Sequence, residues 1–234
     1  MNLRVSLLAL VSVFTAITAS AKDPKYPSLD KYMMPRVDEI AFARSAAPAS
    51  IADRATIKVL TKSGYEVASQ GDNGFVCIVM RGWSAVAFTP ADSHHLAYDT
   101  SIQAPICYDP VGSRTMLPVE EMRAQLGLQG MQPGAIPGEI ALAYALGKLP
   151  KIDSVSFAYM WSAGQNVGVD GKWHPHMMIY APYYQSAMLG GFRPDSGLPA
   201  VAANDGTPFA LVVVAVDDKL AVEPKMPGKQ KEGS

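Results

Sequence analysis

A stretch of alternating apolar and polar residues, ATIKVL at 55–60, predicts a half-buried β-strand. The segments YEVAS (65–69) and FVCIVM (75–80) follow it, and turn-forming residues at 62–64 and 71–74 separate the three. Because FVCIVM is apolar at successive positions, it predicts an inner strand with both faces covered. Three strands joined by tight turns indicate an antiparallel meander.

The C-terminal third of the chain repeats this pattern. SVSFAYMW (154–161) alternates, and a turn around Asp170-Gly171 separates it from WHPHMMIY (173–180), so the two segments predict a hairpin. TPFALVVVAV (207–216) is apolar throughout and predicts a central strand that is buried on both faces.

Three segments have the period of a helix instead. The first begins near Val37, with acidic residues in its first turn, and ends by Pro48. The second begins near Pro118, and the third covers GEIALAYAL (138–146) and stops at Gly147. The residues from Ser84 to Pro105 have no clear period, which is typical of a functional or mobile loop. The predicted fold class is α+β, with a largely antiparallel sheet, about three helices and one disulfide.

The first residues of the chain have the pattern of a secretory signal peptide. Arg4 precedes an apolar run at 5–17 and small residues end at Ala21, so we expect cleavage near Ala21. We therefore expect export to the periplasm or the extracellular space, and no later apolar run is long enough for a membrane span. The predicted domains are a signal peptide at 1–21, an extended lead-in at 22–36, a single α+β domain at 37–222 and a flexible tail at 223–234.

Export changes the interpretation of the two cysteines. In an oxidising compartment, Cys77 and Cys107 predict a disulfide, whereas a nucleophilic or metal-binding thiol would have to stay reduced there. Hydrophobic residues make up 49% of the chain, charged residues 18%, and the formal net charge is −1. No basic run is present, so the charge pattern argues against nucleic acid and an anionic membrane surface as partners.

Two histidines, His174 and His176, stand one residue apart in the last predicted hairpin. On a strand they project to one face together with Met178 and Tyr180, and two such imidazoles can reach one ion. A zinc site needs at least one more protein ligand, and methionine sulfur would suit copper. The candidate cofactor is therefore Zn or Cu, and the candidate further ligands are His94, His95, Asp92, Asp99 and Met178.

Two other functions compete with this transition-metal site. One is a metal-free module that binds a small molecule or a cell-envelope fragment with the aromatic hairpin. Its candidate residues are Tyr159, Trp161, Tyr180 and Arg81, although Arg81 also fits an ordinary ion pair with a carboxylate. The other is a structural envelope protein with no small-molecule site.

An enzymatic role stays open at this stage. A metal-assisted hydrolase is favoured over a serine hydrolase, because the sequence around Ser162 lacks the Gly-x-Ser-x-Gly motif. A pair of Ser162 with His174 or His176 is the remaining serine-hydrolase alternative.

The segments NGFVCIV, PICYD and WHPHMMIYAP carry a resemblance to known proteins. In these segments the chain resembles a group of uncharacterised exported bacterial proteins. The resemblance implies export and a single domain, and it implies no activity.

Overall fold

An eight-stranded sheet organises the protein in a computed structural model that describes residues 27–83, 98–167, 174–191 and 201–227. The predicted signal peptide and the residues His94, His95 and Asp92 lie outside these ranges. The strands are β1 (Thr56–Thr61), β2 (Gly64–Ser69), β3 (Val76–Gly82), β4 (Asp99–Tyr108), β5 (Ser156–Met160), β6 (His176–Tyr180), β7 (Val201–Ala203) and β8 (Leu211–Ala215).

The strand order in the sheet is β2-β1-β3-β4-β5-β6-β8-β7. β1 and β3 pair in parallel, and every other neighbouring pair is antiparallel. The predicted hairpin between β5 and β6 is confirmed, with Met160 opposite His176.

Helices cover both faces of the sheet. The α-helices are α1 (Arg36–Arg44), α2 (Ala49–Ala52), α3 (Gly112–Thr115), α4 (Leu117–Leu128) and α5 (Ile136–Ala145). Short 3₁₀ helices lie at Leu29–Tyr32, Ser186–Leu189 and Asp218–Leu220. α1 and α2 pack on the face that holds Ile57 and Cys77, whereas α3 and α4 pack on the face that holds Ile78 and Tyr108.

The predicted fold class is confirmed: the protein is α+β, its sheet is mostly antiparallel, and three of the described helices have seven residues or more. The predicted disulfide is also confirmed. Cys77 and Cys107 are directly opposite each other on β3 and β4, with Cα atoms 4.0 Å apart. No helix in the described ranges is long and apolar enough to cross a membrane.

The predicted meander of β1, β2 and β3 is wrong. After β2 the chain passes the start of β1, where the Asp72 N–H donates to the Arg54 carbonyl at 2.9 Å. It then begins β3 on the other side of β1 and runs parallel to it. Gly71 permits this close crossing, since a Cβ there would lie 2.2 Å from the Arg54 carbonyl oxygen.

Three further segments differ from the sequence predictions. The C-terminal part of the predicted irregular segment forms β4, a ten-residue strand. β8 lies between two strands as predicted, but Val214 is 39% exposed, so only part of it is covered on both faces. Met226, expected in a flexible tail, packs against the cluster formed by α1, α2 and β3.

The contact between α4 and the Trp83 ring gives a test of this packing. A Cβ at Gly127 would lie 2.4 Å from Trp83 Cε3, and that buried ring is stacked on Tyr32. We expect Gly127→Ala to lower the free energy of unfolding by about 1–3 kcal/mol, because the buried ring or the helix would have to shift to admit the methyl group. Urea unfolding followed by circular dichroism measures the change.

Gly138→Ala in α5 is the matched control, since a Cβ there meets nothing within 4 Å. We expect it to be neutral or to stabilise by up to about 1 kcal/mol through helix propensity. Equal effects of the two substitutions would contradict the proposed packing of Gly127.

Candidate ligand-binding cleft

His176 is buried at the start of β6. Its Nδ1 lies 2.8 Å from the carbonyl oxygen of His174, and because a carbonyl only accepts, Nδ1 carries the proton. Gln165 donates to the same carbonyl from Nε2 at 3.2 Å. Burial lowers the pKa of His176 to about 4, so the imidazole is neutral at pH 7.

His174 lies just before β6 and is exposed. Its Nδ1 is 2.8 Å from Oδ1 of Asp218, a residue of the last 3₁₀ helix. The two histidines therefore differ in surroundings: one imidazole is in the core and the other is at the surface beside a carboxylate.

The proposed further metal ligands are only partly described. Met178 is buried on β6, and the Asp99 carboxylate accepts from the N–H and hydroxyl of Ser101 at 2.8 and 2.6 Å. Within the described ranges, no three His, Cys, Asp or Glu side chains are grouped so that they could hold a metal ion. The Zn or Cu site stays a prediction, because His94, His95 and Asp92 are not described.

The four candidate binding residues of the metal-free alternative lie in three different places. Tyr180 is buried on the α4 side of the sheet, stacked on Tyr108. Tyr159 and Trp161 are half-buried and in edge contact, with ring centroids 5.8 Å apart, and Tyr159 packs against the α1 side. Arg81 is fully buried and forms an ion pair with Glu39, the ordinary structural role that the sequence also allowed.

A cleft of about 430 Å³ opens on the α1 side of the sheet. One side of it is formed by α1 and α2, and the opposite side by residues 222–227. Its lining residues are Val37, Ile40, Ala41, Arg44, Ser45, Ala47, Ala49, Ala52, Asp53, Val222, Glu223, Lys225 and Pro227. None of the predicted site residues lines it.

Local sequence explains the shape of the cleft. Val37, Ala41 and Arg44 recur at helical spacing on one face of α1, and Pro48 separates α1 from the short α2. Four of the nine lining residues on the helical side are alanines, and their small side chains leave space that larger residues would fill. Apolar residues form most of the surface that a ligand would contact.

The backbone of Trp161 connects the two sides of the cleft. Its N–H donates to the Ala46 carbonyl at 2.9 Å, and its carbonyl accepts from the Val222 N–H at 2.7 Å. The Ala163 N–H donates to the Val222 carbonyl at 2.9 Å, which completes a short parallel bridge. Residues after Val222 are thereby positioned beside α1.

Two hydroxyl groups meet next to the cleft. Ser45 Oγ lies 2.6 Å from the Phe42 carbonyl, to which it donates, and 2.7 Å from Ser162 Oγ, from which it accepts. The Gly164 N–H donates to Ser162 Oγ at 3.2 Å. In the described part of the chain, Ser162 Oγ hydrogen bonds to Ser45 and Gly164, and the alternative of a Ser162–histidine pair gains no support from these contacts.

The charged residues of the cleft differ in exposure. Asp53, Glu223 and Lys225 are exposed at its rim, whereas Arg44 is half-buried at the end of α1. A terminal guanidinium nitrogen of Arg44 lies 3.4 Å from Ser69 Oγ. Sequence analysis missed this cleft, because its two sides are far apart in the chain and neither carries a recognisable motif.

Comparisons of the chain with protein-family models, with curated proteins and with solved structures found no match.

Proposed function

We propose that this protein is an exported binding protein that holds a small, mainly apolar molecule in the cleft between α1, α2 and residues 222–227. The cleft carries the proposal: about 430 Å³ is within the range of about 300–1,000 Å³ that small-molecule sites occupy. Its apolar surface with a few charged groups is also typical of such sites. The N-terminal pattern and the Cys77–Cys107 disulfide support export.

The proposal is for binding and includes no catalytic step. Ser45 and Ser162, the hydroxyls next to the cleft, hydrogen bond to each other, and within the described ranges neither has a histidine partner. A serine nucleophile needs an adjacent general base, and this pair supplies none.

Binding of the neutral fluorophore N-phenyl-1-naphthylamine tests the proposal. We expect the mature, disulfide-bonded protein to enhance its fluorescence saturably, because the cleft shields the dye from water. We expect Ala41→Phe to weaken the affinity at least tenfold, since the ring would occupy the space beside α1.

Ala141→Phe is the matched control, because Ala141 is an exposed alanine of α5 and does not line the cleft. It should leave the affinity unchanged, and thermal unfolding shows whether both variants are folded. Equal affinity in the two variants, or no saturable binding to the unsubstituted protein, would overturn the proposal.

A further inference from the structure

Arg44 is the last residue of α1, and it is one of the residues that line the cleft. Its Nε is shielded from solvent and has no hydrogen-bond partner within the described ranges. The contact of 3.4 Å with Ser69 Oγ is long for a hydrogen bond. Leaving this Nε–H without an acceptor is costly, because it has lost water without gaining a partner.

The other described arginines differ from Arg44 in charge pairing or in exposure, although the Nε of Arg123 is also buried without a partner. Arg54, Arg81 and Arg123 each pair with a carboxylate, on Asp72, Glu39 and Glu120 respectively. Arg36 and Arg114 are exposed, so water satisfies them. Arg44 alone is partly withdrawn from water without forming an ion pair in the described part of the chain. The α1 dipole favours a cation at this end of the helix, but it supplies no hydrogen-bond acceptor for the guanidinium.

The rim charges have little influence on this position. Asp53, Glu223 and Lys225 are exposed, so water and salt screen them. Arg44 is the charged group that a ligand enclosed by the cleft would meet away from bulk water. A carboxylate fits it best, because two parallel N–H···O bonds match the planar guanidinium.

We propose that the ligand of the cleft carries a carboxylate that pairs with Arg44, while its hydrocarbon part lies against Val37, Ile40 and Val222. This inference depends on the proposed function, since it specifies the ligand class of the same cleft. Medium-chain fatty acids and other short apolar carboxylic acids have this chemistry.

Calorimetric titration with octanoate and with octan-1-ol at pH 7.5 tests the carboxylate. The two probes share a hydrocarbon chain and differ in charge. We expect octanoate to bind about tenfold to a hundredfold more tightly than octan-1-ol, which is the usual range for a hydrogen bond to a charged group. Arg44→Gln should remove this preference, so that octanoate binds no more tightly than octan-1-ol.

Arg36→Gln is the matched control, because Arg36 is on the same helix but is exposed and does not line the cleft. It should retain the preference for octanoate. Equal affinities for the two probes, or a preference that Arg44→Gln leaves intact, would overturn this inference while octan-1-ol binding still supports the proposed function. Binding of neither probe would count against both proposals.

Discussion

Replacing Arg81 with methionine is expected to lower the free energy of unfolding by about 3–5 kcal/mol. Arg81 and Glu39 have no solvent exposure, and a terminal guanidinium nitrogen lies 2.8 Å from Glu39 Oε1. The substitution would leave the Glu39 carboxyl buried without its cation. The carboxyl would then have to be ionised in an apolar environment or take up a proton, and both outcomes favour unfolding at pH 7.

The loss extends beyond the charge pair, because both side chains also hydrogen bond to the backbone. Arg81 Nε donates to the Tyr32 carbonyl at 2.8 Å, and the Leu60 N–H donates to Glu39 Oε1 at 3.0 Å. The guanidinium also contacts the Val79 carbonyl. The pair therefore joins the first 3₁₀ helix and α1 to β1 and β3. Burial raises the pKa of Glu39 and the charge of Arg81 opposes this, so removing Arg81 would raise the pKa further.

Urea unfolding at pH 7 measures the effect. Arg54→Met is the matched control, because the Arg54–Asp72 pair has a similar distance, 2.9 Å, but is exposed. Water screens that pair, so we expect scarcely any change. The double variant Glu39→Leu/Arg81→Met should be more stable than Arg81→Met alone, since no buried charge is left without a partner.

Two results would contradict this account. One is an Arg81→Met variant that is as stable as Arg54→Met. The other is a double variant whose destabilisation equals the sum of the two single ones, because additive effects mean that the two side chains do not interact.

Local sequence patterns were sufficient to predict the positions of most strands and helices. ATIKVL and SVSFAYMW lie on β1 and β5, because alternation reflects one buried face, and that signal is local. β4 was missed because its first residues are polar and Pro105 interrupts the pattern. The parallel pairing of β1 with β3 was missed because the residues at 71–74 resemble a hairpin turn. The chain crosses β1 there through a close contact between Gly71 and the backbone of Arg54, which is a tertiary contact that local sequence does not encode.

The surroundings of the candidate site residues were harder to predict from the sequence than the strands and helices. Spacing placed His176 and Met178 on one face of a strand, and both are buried there, but spacing could not show that the imidazole of His174 lies beside Asp218. The cleft is formed by two segments that are far apart in the chain and are connected through the backbone of Trp161. The sequence after Val222 has the composition of a charged, flexible tail. Half of its apolar lining residues are alanines, which give no distinctive pattern.

Acidification should destabilise the protein through His176. The unfolded chain takes up a proton on this histidine near the ordinary pKa of about 6.5, whereas burial holds the folded pKa at about 4. Between these values the unfolded state binds more protons, so the free energy of unfolding falls as the pH falls. The neutral imidazole of His176 makes its full contribution to the free energy of unfolding above pH 6.5. About 3 kcal/mol of that contribution should be lost by pH 4, since each unit of pKa difference is worth about 1.4 kcal/mol.

Urea unfolding at pH 7.5 and pH 4.0, with a chelator present, measures this loss in the unsubstituted protein and in His176→Gln. The variant removes the titrating group, so its stability should fall by about 3 kcal/mol less between the two pH values. His174→Gln is the matched control: it removes the exposed imidazole, keeps the buried one and should retain the pH dependence of the unsubstituted protein. If His176→Gln lost as much stability on acidification as the unsubstituted protein, the buried imidazole would not be the group that resists protonation, and the burial of His176 in the core would be contradicted.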